Sequence, residues 1–432
     1  MEQPAGATLR LRAPSAALLA LPWQRPLAAW TEADVRFLAL PVGASRHLVR
    51  FCAVGGVVLS VKELAMGPAR REYDVLRELE VREVPAVRAV GLAERPAEDA
   101  AILVTRYLAH SFQYRRLFMR LREGVGTQRD RLLDAMAGLL VELHRRGVFW
   151  GDCSLANTLL VRDGQTLQAH LVDAETSEVH ERLSEGQRAF DLELMVENVA
   201  GDLADLAAIE GRGLEGLDDD VATAEIVADR YRALWDELHR EEPLGEDERF
   251  RVEARLRRLN ELGFVVEEVS LEPAGSGTSR RLRVAVADRR YHAVRLHEAT
   301  GLEVGEGQAR ILLNDLIACQ RAARDGETPA AAGRRWLRRT FEPAVERLRM
   351  VLGDDIDPVQ AYCDLLEVRW LLSEAAGHDV GDDIAIAALV ARRVPAGSAA
   401  DLAAAEAPTA LYRLEDLLAP GGGGPADRAS DP

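Results

Sequence analysis

The sequence predicts an α+β chain in which a strand-rich part is followed by a helical part and then by a second, smaller α+β part. Short β-rich runs separated by turn residues fill positions 34–107. Apolar residues at three- and four-residue spacing, which is typical of helices, follow over 117–146 and 191–239. An acidic segment with proline and glycine, 241–248, then separates the helical part from the last part of the chain.

Length and charge limit the class of protein. The 432 residues are enough for two to three domains. The formal net charge of -17 argues against general nucleic-acid binding, which depends on a basic surface that neutralises phosphates. The chain has four cysteines, Cys52, Cys153, Cys319 and Cys363, which are far apart and show no paired spacing. We therefore expect neither a zinc site nor a disulfide framework, and we expect a reducing, cytoplasmic location.

No stretch of the sequence predicts a membrane span. No apolar run reaches the roughly 18 residues that a helix needs to cross a bilayer. The run 13–23 follows two arginines and resembles a short signal peptide, but it contains two prolines and lacks a small-residue cleavage site. We therefore expect it to pack on the first lobe.

Five strands are predicted in the first part. A turn at 42–45 and a Gly55-Gly56 hairpin signal separate the first three. Thr105 to Leu108, at the end of the fifth strand, would connect it to the helical part. The predicted strands are Val35–Pro41, His47–Val54, Val57–Leu64, Val84–Leu92 and Ala101–Tyr107.

Lysine usage singles out one position. Of the 54 lysine and arginine residues, one is lysine, Lys62, and it falls near the end of the third predicted strand. A compact ammonium on a flexible stem is not equivalent to a planar guanidinium where the side chain must reach into phosphates. Either Lys62 is a chance survivor in an arginine-biased chain, or its site requires lysine, and its position favours the second reading.

A helix with a candidate partner for this lysine is predicted next. Residues 69–80 carry Tyr73, Leu76 and Leu79 on one face and Glu72 on an adjoining one. Glu72 is therefore either a solvated helix charge or a residue aimed at the strands. Glu78 is the alternative acid on the same helix.

The most informative stretch is Phe149 to Asp173. It contains Asp152, Asn157 five residues later, and Asp173 after an apolar run. Between them, apolar runs at 158–162 and 166–172 are joined by Asp163-Gly164, which indicates a tight hairpin. Three oxygen-bearing side chains are thus expected at the open end of a short, stiff ribbon.

This pattern, Asp-x-x-x-x-Asn, a hairpin and then Asp, resembles the catalytic loop and metal-binding segment of the protein-kinase-like fold. Within that fold it is most similar to the bacterial lipopolysaccharide-kinase-like proteins, in which Gly-Asp replaces Arg-Asp and the hairpin is short. The resemblance implies a bilobal domain with a five-stranded antiparallel N-lobe and a helical C-lobe. It also implies a kinase, that is, a phosphotransferase with an alcohol group as acceptor.

The resemblance also implies roles for individual residues. Lys62 would contact the nucleotide phosphates, and Glu72 would pair with it. Asp152 would be the catalytic base. Asn157 and Asp173 would bind Mg²⁺, and the backbone of Thr105, Arg106 and Tyr107 would contact the adenine of ATP.

Asp191 is a further carboxylate with two readings. It either supports the catalytic loop from behind or is an ordinary residue of a helical first turn. Asp202 and Asp205 fit the second description better.

Several features depart from the kinase pattern. Ala174-Glu175 follows Asp173 where Phe-Gly is usual, Trp150 replaces a histidine, and the turn at 42–45 lacks the full glycine motif. No Ala-Pro-Glu segment follows, which favours a small-molecule or glycan acceptor over protein. The alternative is a pseudokinase or nucleotide-binding scaffold whose C-terminal domain recruits a protein partner. A regulatory dimer built on the C-terminal helices is a third possibility.

The last part is expected to be a mostly helical α+β domain. It resembles a bacterial domain of unknown function that is attached to kinase-like first halves. The glycine- and proline-rich end predicts a disordered tail. The expected boundaries are 1–108 for the N-lobe with its N-terminal segment, 109–240 for the helical lobe, 241–395 for the C-terminal domain and 396–432 for the tail.

Overall fold

The structure is a computed structural model. It describes residues 6–40, 46–120, 126–209, 211, 217–244, 248–273, 280–321, 328–396 and 398–405. The turn expected at 42–45 lies outside these residues.

The first part begins with an antiparallel sheet and two helices. The sheet has six strands within the described residues, in the order β1-β5-β6-β4-β3-β2. Its elements, in chain order, are β1 (Thr8–Leu11), α1 (Ala16–Leu19), β2 (Arg36–Leu38), β3 (Leu48–Val54), β4 (Val57–Ala65), α2 (Met66–Val81), β5 (Ala89–Arg95) and β6 (Ala100–Arg106).

The sequence predicted five of these strands, and the number was wrong by one. The additional strand, β1, pairs antiparallel with β5, so that Thr8 lies opposite Glu94 and Leu11 opposite Gly91. Four residues of alternating character give little periodic signal, and the pairing depends on a partner that lies some 80 residues away in the chain. The segment 13–23 does pack on this lobe, because Leu18, Leu21 and Trp23 are buried in a core with β3, β4 and β6.

The remainder of the first part is mainly helical, with three short strand pairings. Its elements are β7 (Ser111–Gln113), α3 (Tyr114–Arg120), α4 (Gly126–Arg145), β8 (Val148–Phe149), β9 (Thr158–Asp163), β10 (Thr166–Leu171), β11 (Glu178–Val179), α5 (Glu185–Ile209) and α6 (Leu217–His239).

The predicted hairpin is confirmed as β9 and β10. Thr166 lies opposite Asp163, and Leu171 lies opposite Thr158. Gly164 adopts a positive φ of 62° in the turn, a conformation that favours glycine. Leu160, Ala169 and Leu171 bury one face of the ribbon against the helical core. The hairpin is therefore held against the helical core by the buried side chains of one face.

The C-terminal part, from β12 onward, combines a three-stranded sheet with helices. The sheet has the order β12-β14-β13. A π-helical turn, Leu337–Phe341, joins α10 to α11. The elements are β12 (Glu242–Leu244), α7 (Arg249–Glu261), β13 (Val266–Pro273), β14 (Arg280–Val286), α8 (Tyr291–Thr300), α9 (Glu306–Arg321), α10 (Pro329–Trp336), α11 (Glu342–Leu352), α12 (Pro358–Ala376), α13 (Gly381–Val390) and α14 (Ala399–Ala405).

The last helix lies within the segment that was predicted to be a disordered tail. Disorder was predicted from Ala396, whereas Ala399–Ala405 form α14, with Leu402 only 1% exposed. An alanine-rich segment has high helix propensity, and α14 gains its stability by packing against α12. Residues 406–432 lie outside the described residues. The domain boundaries stay predictions.

The two largest cores within the described residues connect the parts of the chain. The larger one extends from α2 and α4 to Leu282 and Val284 of β14, so the C-terminal sheet shares the core of the first part. The second is formed by α8 to α14 around Trp336, Phe341 and Tyr362. The C-terminal part is thus joined to the first part by buried apolar contacts.

The tip of the β9–β10 hairpin docks into the C-terminal part. Both carboxylate oxygens of Asp163 accept backbone hydrogen bonds, from Gly307 N and Gln308 N, each 2.8 Å long. Gln360 binds both backbone groups of Gly164, at 2.9 Å each. A carboxylate of the first part therefore caps the N-terminus of α9.

Close packing accompanies these bonds. A Cβ atom at Gly305 or Gly307 would collide with Asp163, so glycine is required where the hairpin enters. Arg162 Nη1 donates to Asp364 Oδ1 at 3.0 Å and to Oδ2 at 2.8 Å. The strands that lead to Asn157 and Asp173 are thereby fixed at their far end by the C-terminal part.

Candidate active site

Lys62 lies near the end of β4, opposite Val49 of β3 and Leu103 of β6. Its side chain is 12% exposed and makes two charge-assisted hydrogen bonds. Nζ donates to Glu72 Oε2 at 3.0 Å and to Asp173 Oδ2 at 2.8 Å. The single lysine of the chain therefore joins the sheet, α2 and the segment after β10.

Glu72 is the expected partner, and the ion pair with Lys62 is present. Tyr73, Leu76 and Leu79 bury one side of α2, which leaves Glu72 directed at β4 with its side chain 2% exposed. The solvated-helix reading of Glu72 is wrong, and Glu78 instead pairs with Arg82 of the same helix.

The charges around Lys62 do not balance. Glu175 Oε2 lies 3.9 Å from Nζ, so three carboxylates surround one ammonium. Burial, followed by the negative charge of Asp173, raises the pKa of Glu72 to about 7. Burial alone would lower the pKa of Lys62, but the attraction of Glu72 and Asp173 raises it above its ordinary value. The excess negative charge suits this site to a further cation.

Asp152 lies in the loop that precedes β9 and is held by two amides. Asn157 Nδ2 donates to its Oδ2 at 2.9 Å and to its backbone oxygen at 3.1 Å. Asn198 Nδ2, from α5, donates to its Oδ1 at 3.2 Å. Burial, with a smaller contribution from Asp173, raises the pKa of Asp152, although the Asn157 bond opposes this. A carboxylate with a raised pKa is a stronger base.

Asn157 and Asp173 offer oxygen atoms to a cation. The Asn157 amide nitrogen is used on Asp152, while its Oδ1 accepts no hydrogen bond from any described residue. Asp173 Oδ1 accepts from Glu175 N at 3.0 Å, and its side chain remains 31% exposed. The two residues lie close together because Val172 N donates to Asn157 O at 3.1 Å.

Asp191 fixes the start of the catalytic loop, as one of its two readings expected. It is fully buried on α5 and accepts hydrogen bonds from Trp150 N at 2.7 Å and Gly151 N at 2.8 Å. His144 Nε2 lies 3.0 Å from its Oδ2, and His144 Nδ1 lies 2.7 Å from the Tyr231 hydroxyl. The loop backbone is therefore held by a buried polar network.

Asp202 does the same for the second half of the loop, against our expectation. Its Oδ2 accepts from Leu155 N at 2.8 Å, and Ser154 Oγ accepts from Asn157 N at 3.2 Å. Asp205, three residues further along α5, is exposed. Because Asp202 and Asp205 are both aspartates on the same helix, the sequence could not tell which of them contacts the loop.

The expected adenine-binding backbone is partly engaged elsewhere. Arg106 N donates to Arg88 O at 2.8 Å, and Tyr107 N donates to Val58 O at 3.1 Å. These two N–H groups are therefore used within the lobe. Neither of them is available to an adenine.

Sequence reasoning missed three polar residues of the site. Asn198 contacts Asp152, and His47 Nε2 lies 3.1 Å from Glu175 Oε2. Asn198 lies on the same helix as Asp191 and Asp202, and this row at positions 191, 198 and 202 is a spacing that could have revealed it. His47 and Glu175 are 128 residues apart and gave no such signal.

The described residues contain neither a preformed cluster of metal ligands nor a membrane-spanning helix. No group of three or more histidine, cysteine, aspartate or glutamate side chains there could hold a metal ion by itself. No helix in this part of the chain is both long and apolar enough to cross a bilayer.

Parts of the chain are similar to known proteins. One solved structure, "WaaP in complex with acyl carrier protein", is 23% identical, with a TM-score of 0.31, and the match covers 46% of this chain and 90% of that one. No curated protein sequence matches the chain. Residues 233–394 match the family model of a domain of unknown function, DUF4032. The resemblance inferred from the catalytic loop is confirmed, because residues 43–207 match the model of the lipopolysaccharide kinase (Kdo/WaaP) family.

Proposed function

We propose that the protein is a Mg²⁺- and ATP-dependent phosphotransferase of the kinase-like fold, which acts on a small molecule or glycan. The observation that carries the proposal is the convergence on Lys62. Its Nζ lies 3.0 Å from Glu72 and 2.8 Å from Asp173, although the three residues span 111 positions of the chain. Phosphoryl transfer requires such positioning of charge more than covalent work by the protein.

Each side chain has a defined part in this proposal. Lys62 contacts the α- and β-phosphates of ATP, and Glu72 keeps the ammonium extended towards them. Asp152 orients the acceptor hydroxyl and takes its proton while the hydroxyl oxygen bonds to the γ-phosphorus. The bond from the γ-phosphorus to the bridging oxygen breaks, and ADP leaves. Asn157 and Asn198 hold the Asp152 carboxylate in position for this transfer.

The residues present fit a magnesium ion shared with the nucleotide. Asp173 and the free amide oxygen of Asn157 are hard oxygen ligands, and Mg²⁺ in kinases is held by one or two such groups together with phosphate oxygens. A site of this kind needs no cluster of three acidic side chains. Magnesium, when bound, supplies charge neutralisation on the phosphates.

The acceptor class rests on two arguments. The family matched by residues 43–207 is described as a lipopolysaccharide kinase family, which favours a glycan. The sequence also lacks the Ala-Pro-Glu segment that accompanies peptide docking. The cytoplasmic location remains part of the proposal.

Turnover and ligand binding together test the proposal. ATP with magnesium at 100 times its dissociation constant should stabilise the protein by about 2.7 kcal/mol in thermal unfolding. Asp152→Asn should retain this stabilisation and lose ATP turnover by at least about 100-fold. Asp205→Asn, an exposed carboxylate on α5, is the matched control and should turn over ATP normally.

A nucleotide-binding scaffold, or pseudokinase, is the second candidate function. It is favoured by Glu175, which replaces the usual glycine and places a third carboxylate 3.9 Å from Lys62 Nζ. In that case the C-terminal part would recruit a protein partner. Stabilisation by ATP without turnover in the wild type would support the scaffold, and no stabilisation at all would contradict both functions.

A further inference from the structure

A cleft of about 850 Å³ lies between the first part and the C-terminal part. Its walls are the segment 84–88, the segment 106–109, the β9–β10 hairpin, and residues of the C-terminal part around Arg289 and Glu306. None of the proposed catalytic and metal-binding residues lines it: Lys62, Glu72, Asp152, Asn157 and Asp173. The cleft therefore lies apart from these five side chains, although the connecting segment 106–109 borders it, and its volume is one that small-molecule ligands occupy.

The carboxylates that line this cleft already have partners. Asp163 accepts two backbone hydrogen bonds, and Glu306 accepts from His292 and Ala293. Glu80 pairs with Arg12, Glu83 pairs with Arg290, and Asp357 caps α12. Two of these five carboxylates are paired with arginines, and the other three accept hydrogen bonds from backbone N–H groups, so their oxygens already have donors.

Two guanidinium groups in the cleft make no hydrogen bond or ion pair within the described residues, although Glu80, whose pKa is lowered mainly by Arg12, also feels the charge of Arg88. Arg88 and Arg106 are exposed, and neither side chain donates a hydrogen bond or lies within ion-pair distance of a carboxylate among the described residues. Their backbones are bonded to each other, Arg106 N to Arg88 O, at 2.8 Å. The two side chains therefore leave from neighbouring points of the wall, and Arg289 adds a third cation from the C-terminal part.

A half-buried imidazole in the cleft has one buried ring nitrogen without a partner among the described residues. His170 lines the cleft from β10, and its Nδ1 is buried without a hydrogen bond from any described residue. Burial lowers the pKa of His170 to about 4, so the ring is neutral at pH 7 and can donate or accept one bond at Nδ1. An unpaired buried polar atom costs free energy, which a bound ligand would recover.

We infer that this cleft binds a small phosphorylated anion. Arg88 and Arg106 would hold the phosphate through charge-assisted hydrogen bonds, and His170 would bond to a phosphate or hydroxyl oxygen of the same molecule. Arg106 belongs to the segment that connects the two lobes, and Arg289 belongs to the C-terminal part. The ligand would therefore contact both parts of the chain without contacting the five proposed catalytic and metal-binding side chains.

Titration calorimetry of the full chain with inorganic pyrophosphate, without magnesium or nucleotide, tests this inference. The wild type should bind, and Arg88→Gln/Arg106→Gln should bind at least about tenfold more weakly. The control Arg280→Gln/Arg349→Gln removes two exposed charges elsewhere and should bind as the wild type does.

His170→Leu separates a binding role from a structural one. Replacing a half-buried imidazole, one nitrogen of which is buried and unpaired, by an apolar side chain should leave the melting temperature of the free protein unchanged or higher, while pyrophosphate affinity falls. Three results would each overturn the inference: no binding by the wild type, equal loss in both double variants, or loss in Lys62→Gln while Arg88→Gln/Arg106→Gln binds normally. The last would locate the anion at the candidate active site.

Discussion

Replacing Asp163 by alanine tests how firmly the C-terminal part holds the β9–β10 hairpin. The carboxylate is buried and caps α9 with hydrogen bonds of 2.8 Å from Gly307 N and Gln308 N. Asp163→Ala leaves both donors buried and unpaired, at about 1–3 kcal/mol each. Burial raises the pKa of Asp163 despite these bonds, so ionising this carboxylate is itself costly. We therefore expect a net loss near the lower end, about 3 kcal/mol.

The assay is amide hydrogen exchange of the native protein. A local loss of about 3 kcal/mol corresponds to exchange on the order of 100-fold faster in β9, β10 and the first turn of α9. Thr328→Ala, which removes the N-cap of α10 far along the same part, is the matched control. It should cost about 1 kcal/mol and leave the hairpin protected. The reasoning is refuted if Asp163→Ala leaves exchange in the hairpin unchanged, or if both variants affect it equally.

Three further predictions concern the site. The folded-state pKa of Glu72, about 7, lies above its ordinary 4.5, so the contribution of Glu72 to stability is lost as the pH rises from about 4.5 to 7. Urea titrations across this range should show the loss. An equal dependence of the unfolding free energy on pH in Glu72→Gln would disprove the prediction. Asp191→Ala leaves Trp150 N and Gly151 N without a hydrogen-bond acceptor and should lower the free energy of unfolding in urea by about 3–5 kcal/mol. A loss below about 1 kcal/mol would contradict the anchoring role of Asp191. Lys62→Arg should weaken ATP binding in calorimetry at least about tenfold, because a guanidinium cannot replace the compact ammonium between two carboxylates; undiminished binding would remove the argument from the single lysine.

The sequence predicted those features that local patterns encode. The hairpin followed from two apolar runs around Asp163-Gly164, which lie in neighbouring elements, so periodicity and turn chemistry were enough there. Lys62 was identified by composition and by its place on a strand. The apolar spacing on α2 left two orientations open for Glu72, and its pairing with Lys62 was implied by the family resemblance.

Other features depend on pairings between segments that are distant in the chain, and local sequence patterns did not predict them. Strand β1 forms because Thr8–Leu11 finds the free edge of β5. The docking of Asp163 needs close backbone approach at Gly305 and Gly307, and these glycines are the signal that could have suggested it. Helix α14 was read as part of a disordered tail because its alanines are stabilised only by the surface they cover.

Calorimetric titration of ATP, with and without magnesium, into the wild type and Asp173→Asn tests the central claim most directly. If Asp173 and Asn157 hold the cation that ATP brings, magnesium should tighten ATP binding to the wild type and have little effect on the variant. Equal magnesium dependence in the two proteins, or a wild type that binds no ATP, would contradict the account.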